Sequence, residues 1–267
     1  MRSDPVVEPA ALPALGKGRL LDVRDVTSFD AGHWADATRV PIEAWEAAAK
    51  SGETSFENIG YWENAIAALG VDGSVPAVVY DDGRMTEAAR VWFILQYFGA
   101  EAFILNGGWP AIQSSEDLRG FVPASGTPTI FMARPGAGPV GLVDRQTLKA
   151  ELDADVRIFD ARTAGEFAGE DLRRNSRGGH LPGARLLPHA SLLDGGRLRP
   201  VEELQQLLTR AGFQSGDHLV THCDGGGRAA LAAVAALRAG YRDVRAYYLS
   251  FSDWARDESC AIVRNTE

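Results

Sequence analysis

A chain of 267 residues, 45% hydrophobic and 24% charged with 29 Gly and 13 Pro, is long enough for two globular domains of roughly 100–150 residues and is neither collagen-like nor low-complexity. Its 27 Lys and Arg against 36 Asp and Glu leave a formal charge of −9, which excludes nucleic acid and anionic membrane as broad partners and leaves room only for a local basic pocket that takes a small anion. No apolar run approaches the ~18 residues of a membrane span, and the two cysteines, Cys223 and Cys260, neither build a disulfide framework nor stand at metal-ligand spacing.

In chain order, the first 21 residues carry proline and acidic side chains where a secretory leader needs an unbroken apolar stretch, so a cytoplasmic protein is expected. Leu20-Leu21-Asp22-Val23-Arg24 follows, then Phe29, Gly32-His33 and Val40-Pro41. Ala77–Tyr80 reads as a buried parallel strand ending at Asp81 and Gly83, and Val91–Leu95 as part of a helix running to Gly99. A further apolar run closes on Asn106-Gly107-Gly108-Trp109. Pro123-Ala124-Ser125-Gly126-Thr127-Pro128 and Arg134-Pro135-Gly136-Ala137-Gly138-Pro139 then flank Ile130-Phe131-Met132, and 123–139 reads as a linker.

Past it the same signals return in the same order. Ile158-Phe159-Asp160-Ala161-Arg162 leads to Phe167, Gly179-His180 and Leu187-Pro188, with about ten residues inserted. Leu219–His222 leads to Cys223, glycines and a helix containing Leu231–Leu237, and Tyr248-Leu249-Ser250-Phe251 closes the copy. The ordered agreement predicts a duplicated unit, with an N-terminal domain over 1–122 and a C-terminal domain over 140–267. Asp81 occupies the place of Cys223. Strands alternating with helices predict an α/β fold in each copy, a parallel sheet flanked by helices on both faces, with ligands at the carboxyl ends of the strands.

That rule points to His222-Cys223-Asp224-Gly225-Gly226-Gly227-Arg228. The glycines let successive amides converge, and the helix that follows adds partial positive charge, so the loop is an anion nest with the sulfur inside it. Converging donors and the Arg228 guanidinium favour a thiolate there. The bland alternative is a buried, inert cysteine beside a glycine turn.

The paired Asp22-x-Arg24 and Asp160-x-Arg162, the Gly-His pairs at 32–33 and 179–180 (the second continuing Leu181-Pro182-Gly183-Ala184), Asn106–Trp109 and the loop Cys223–Arg228 resemble the tandem-domain rhodaneses over nearly the whole chain. This is the thiosulfate and 3-mercaptopyruvate sulfurtransferase family. The resemblance implies two rhodanese domains, the first catalytically silent because a carboxylate at Asp81 cannot accept a sulfane sulfur. In the second, Cys223 is expected to take sulfur from a small sulfur-containing anion and pass it, as a persulfide, to cyanide or a thiol. Amides of Asp224, Gly225, Gly226, Gly227 and Arg228 would cradle that sulfur, and no cofactor is required. The resembling 3-mercaptopyruvate enzymes typically show Cys-Gly-Ser-Gly-Val-Thr and the thiosulfate enzymes cationic loop side chains; this loop has neither pattern. Arg228 attracts a dianion, whereas Asp224 repels one if its side chain faces the pocket, and the reading leans toward thiosulfate.

Related phosphatases and arsenate reductases use Cys-x5-Arg, a longer loop than the four residues enclosed by Cys223 and Arg228; such an enzyme is the alternative, as is a non-enzymatic rhodanese-like binding module. The cluster Arg173-Arg174-Asn175-Ser176-Arg177 lies in the segment inserted only in the second copy. Arg173, Arg174 or Arg177 is a candidate to bind the donor's anionic group, against the alternative of a solvated loop. Phe251 and Trp254 are candidates for a wall that limits water at the persulfide, or for core packing. His33 and His180 are expected to fix turns by hydrogen bonding, and His222 to face away from Cys223. Asp160 and Arg162, recurring in both copies, read as scaffold, and Cys260 as a bystander.

Overall fold

The computed structural model describes residues 4–53, 55–114, 120–124, 129–152 and 155–264; linker residues 125–128 lie outside them. It divides into two compact units, Met1–Pro139 with Gly195–Arg197, and Val140–Asp194 with Leu198–Glu267. In the described part of the linker Phe131 is buried, while Ile130 and Met132 on either side are exposed. Among the described residues no helix is long and apolar enough to cross a membrane.

The first unit is built on β1 (Val6–Val7), β2 (Lys17–Asp22), β3 (Thr38–Arg39), β4 (Ala77–Tyr80), β5 (Ala102–Leu105) and β6 (Val122–Pro123). They pair in parallel in the order β1-β5-β4-β2-β3, with β6 against the start of β2. All four residues of β4 are buried, which is why it reads as an unbroken apolar run: a central parallel strand is covered on both faces. The helices are α1 (Val26–Ala31), α2 (Ile42–Lys50), α3 (Ile59–Ala67), α4 (Thr86–Tyr97) and α5 (Gly108–Ser114). Asp25 and Asn58 start α1 and α3 by accepting the amides of Ser28 and Tyr61.

The second unit repeats the plan. Its strands β7 (Val140–Leu142), β8 (Val156–Asp160), β9 (Arg185–Leu186), β12 (His218–His222) and β13 (Val244–Ala246) form a parallel sheet in the order β7-β13-β12-β8-β9, with a small ribbon of β10 (Leu193–Asp194) and β11 (Arg197–Leu198) beside it in sequence. The helices are α6 (Arg145–Glu151), α7 (Ala164–Ala168), α8 (Val201–Arg210), α9 (Gly227–Arg238) and α10 (Ser250–Trp254). In α9 the whole run Ala229 to Ala236 is buried, and its many alanines let the helix lie close on β12 and β13.

The repeated motifs do the same work twice. Asp22 and Asp160 end β2 and β8, and each accepts its partner arginine through two oxygens, Arg24 Nη2 at 2.6 Å and Arg162 Nη2 at 2.6 Å. Each guanidinium also donates across the turn, to Gly32 O at 2.7 Å and Gly179 O at 2.8 Å. The next residue in each turn is histidine. His33 stacks on Phe29 with Nδ1 2.9 Å from Phe29 O, and His180 stacks on Phe167 with Nδ1 3.0 Å from Phe167 O. These histidines therefore hold turns.

Candidate active site

β12 runs beside β8 with His222 opposite Asp160, and the next residue, Cys223, leaves the sheet at its carboxyl end. His222 is fully buried, with Nε2 3.3 Å from Asp160 Oδ2 and Nδ1 3.2 Å from the Cys223 carbonyl. Burial, against the pull of Asp160, holds it down to about 4, so it is a neutral packing group at neutral pH.

The sulfur sits in the turn that starts α9. Gly226 N–H donates to Cys223 Sγ at 3.0 Å, and the first turn of α9 begins at Gly227. Gly226 has φ +102°, and a Cβ there would stand 2.9 Å from Tyr248 O and 3.1 Å from the Tyr248 ring, so only glycine gives this turn without a shift. Ser250 closes the other side. Its Oγ accepts the Cys223 amide at 3.1 Å, donates to Tyr247 O at 2.8 Å and lies 3.7 Å from Sγ. Ser250 takes the left-handed conformation, φ +60°, that Gly108 takes at the matching place in the first unit. The Cys223 carbonyl receives the Phe251 amide, as Asp81 O receives that of Trp109.

Arg228 does not face the sulfur as a free cation. Both edges of its guanidinium are held by Glu166, Nη1 to Oε2 at 2.7 Å and Nη2 to Oε1 at 2.8 Å. Burial works against its charge, but the Glu166 hydrogen bonds and the charges of Cys223, Glu166 and Asp224 raise it above the ordinary arginine value. Burial would raise the Glu166 carboxyl; Arg228 and Thr163 overcome that and hold it at about 2. Glu166 also closes a capping box on α7, exchanging bonds with Thr163. Asp224 is pinned by Asn175, whose Nδ2 donates to Oδ1 at 2.7 Å, and Gly225 beside it is half-buried.

The basic cluster divides. Arg173, 55% exposed in its side chain, brings Nε to 3.8 Å from Glu166 Oε1, and Arg174 is exposed. Arg177, a candidate for donor binding, is instead occupied by the carbonyls of Trp254, Ala255, Asp257 and Cys260, and holds the C-terminal segment in place. Of the two roles weighed for Phe251 and Trp254, core packing is the one seen. Trp254 is fully buried, donates to Ala261 O at 2.9 Å and belongs to the core around Leu148, Ile158 and Val220. Phe251 is in that core too, with the Arg162 guanidinium 4.0 Å from its ring centre, the place Trp109 takes under Arg24. Cys260 is buried in the same cluster, and burial and Asp257 push its thiol up.

In the first unit the matching loop carries its own anion. Asp81 accepts Gly83 N at 2.9 Å, Met85 N at 3.0 Å and Ala88 N at 3.1 Å, the last two at the start of α4. Burial raises it to about 6 in spite of these donors. A carboxyl raised in the folded state stabilises that state fully below the unfolded value and less as pH rises through about 6. The first unit is therefore expected to gain about 1 kcal/mol of unfolding free energy between pH 7 and pH 5 from this group. Urea unfolding of the chain and of Asp81→Asn at both values measures it; a wild-type pH difference equal to that of the variant contradicts it.

A rhodanese-like domain model matches residues 10–115 and again 144–257. The 3-mercaptopyruvate sulfurtransferase of Escherichia coli (strain K12) is 30% identical over 195 residues, 71% of this chain and 68% of that protein. The thiosulfate sulfurtransferase of Pseudomonas aeruginosa is 28% identical over 263 residues, 93% of each. The anaerobic ergothioneine biosynthesis enzyme of Chlorobium limicola superposes with a TM-score of 0.82 at 20% identity, covering 99% of this chain and 71% of that one, a likeness of fold alone.

Proposed function

Since the chain belongs to the tandem-domain rhodanese family of thiosulfate and 3-mercaptopyruvate sulfurtransferases, we propose that it moves a sulfane sulfur from a small sulfur-bearing anion to cyanide or a thiol through a persulfide on Cys223. The observation that carries this reading is the Gly226 amide donating to Sγ at the start of α9. A sulfur held this way has a donor and a helix terminus ready for negative charge.

The Cys223 thiolate attacks the outer sulfur of thiosulfate. A new Sγ–S bond forms, the donor's S–S bond breaks, and its electron pair leaves on sulfite. With 3-mercaptopyruvate the C–S bond breaks instead, and the pair leaves on the enolate of pyruvate, which takes up a proton. Cyanide or a thiolate then attacks the outer sulfur, and the pair of the Sγ–S bond returns to Cys223. Between the two steps the outer sulfur is anionic, and the Gly226 amide, with the other loop amides from Asp224 to Arg228, would stabilise it. The first unit takes no part in transfer, because Asp81 fills its loop and offers no sulfur.

The Glu166 pairing weighs against a phosphatase or arsenate reductase, in which the loop arginine must be free to hold an oxyanion. The presence of Cys223, with the Gly226 amide donating to its sulfur, weighs against a mere binding module. Incubating the protein with thiosulfate or with 3-mercaptopyruvate and removing the donor is expected to leave a mass gain of one sulfur atom on the Cys223 peptide. Cyanide should remove it and release thiocyanate in equal amount. No gain with either donor sinks the proposal.

A further inference from the structure

We propose that Glu166 is a specificity-determining residue: by neutralising Arg228 it biases the Cys223 site toward sulfur donors that carry a single negative charge over those that carry two. This rests on the sulfurtransferase reading above and adds the feature that selects the donor.

The pairing is built in. Glu166 is 1% exposed in its side chain, its two oxygens take both edges of the Arg228 guanidinium, and the carboxylate is anchored from behind by the Thr163 amide at 3.0 Å and hydroxyl at 2.9 Å. A guanidinium paired with a carboxylate at both edges keeps N–H donors but offers a second anion little net charge. Beside the loop, Arg228 and Arg173 stand against Glu166 and Asp224, and behind it Arg162 stands against Asp160. Two histidines lie near the loop: His189 is held below its ordinary value by burial and by the charge of Arg228, and His222 is held at about 4 by burial, so neither adds positive charge at neutral pH. These charges cancel before the thiolate is counted. A thiosulfate dianion meets no net attraction there and the repulsion of the thiolate twice over, whereas 3-mercaptopyruvate, singly charged through its carboxylate, meets it once. The Arg228 charge that made thiosulfate the favoured donor in the sequence is cancelled by a residue 62 positions earlier in the chain.

Glu166→Gln removes the charge and keeps an oxygen to accept the Thr163 amide. Two ratios read the result. One is kcat/KM for thiosulfate over that for 3-mercaptopyruvate; the other is the rate of Cys223 carboxymethylation by iodoacetate over that by neutral iodoacetamide, followed on the Cys223 peptide so that Cys260 is counted apart. Both ratios should rise about tenfold in Glu166→Gln at low salt and fall back as salt screens the freed Arg228. The gain for thiosulfate should appear in KM more than in kcat. Unchanged ratios in a folded variant overturn the proposal. So does a wild-type iodoacetate preference that collapses with salt, because a balanced site has no excess positive charge to screen; this measurement needs no variant. A raised alkylation ratio without turnover of either donor by the wild type would uphold the charge assignment and sink the sulfurtransferase reading instead.

Discussion

Cys223→Ser is expected to lower thiocyanate formation from thiosulfate and cyanide by about 10⁴-fold or more, to the rate without protein. An alcohol at this position has no accessible anion near neutral pH and makes no stable bond to a sulfane sulfur, so both half-reactions are lost together. The loss should be chemical and not structural. The Ser Oγ is smaller than Sγ and can accept the same Gly226 amide, and the Ser250 bond to the residue 223 backbone is untouched. Thermal melting should therefore stay within about 1 kcal/mol of the wild type. Cys260→Ser is the control: that thiol lies in the core cluster, not in the loop, and its replacement should leave transfer unchanged. Thiocyanate assay with melting curves on both variants decides it. Residual transfer by Cys223→Ser, or its loss in Cys260→Ser, would move the chemistry to the other thiol.

Gly226→Ala has the next largest expected effect. Alanine resists φ +102°, and its Cβ would meet Tyr248 O at 2.9 Å and the Tyr248 ring at 3.1 Å. Neither neighbour can yield freely, since the ring is fully buried and the carbonyl leads directly into α10. The loop must move instead, and the amide it carries away is the one that donates to Sγ. Removing one aligned donor from a site of developing charge costs about 100-fold in rate, and the strain costs about 2 kcal/mol in stability. Stopped assays and urea unfolding would report both. A variant that transfers sulfur at the wild-type rate would show that the Gly226 amide does not serve the reaction.

The duplicated sheet was legible because central parallel strands are buried on both faces, and runs such as Ala77–Tyr80 and Leu219–His222 carry that burial openly in sequence. The motifs at Asp22-x-Arg24 and Asp160-x-Arg162 were legible for a different reason: each ion pair closes over two residues and repeats in both copies, while its guanidinium reaches on to the carbonyl of the glycine before the repeated histidine. What could not be read depends on distant partners. The signature Thr163-x-x-Glu166 announces a capping box, but nothing local says that the same carboxylate reaches Arg228. Arg177 looked like a substrate cation because its partners are backbone carbonyls of residues 254–260, which leave no mark on residue type. Trp254 looked equally suited to a wall or a core, and only its zero exposure decides. Ser250 had one available signal, its alignment with Gly108, since a residue matched to glycine across a repeat inherits glycine's backbone.

That last pair of residues bears on whether the two loops could exchange roles. A Cβ at Gly108 would stand 2.5 Å from Asp81 O, so the first copy has no room for the hydroxyl that supports the sulfur in the second. Its helix also opens farther along, at Thr86 behind a left-handed Met85, with amides already satisfied by Asp81. A cysteine introduced at position 81 alone would arrive without its serine and in a turn of different length. Because these features are neighbours in one loop, their effects are not expected to add, and Asp81→Cys alone is expected to leave the first unit without a sulfur nest. A repeated sheet thus does not make the two loops interchangeable: each is fitted to the residue it holds, Asp81 by three amides and Cys223 by Gly226 and Ser250.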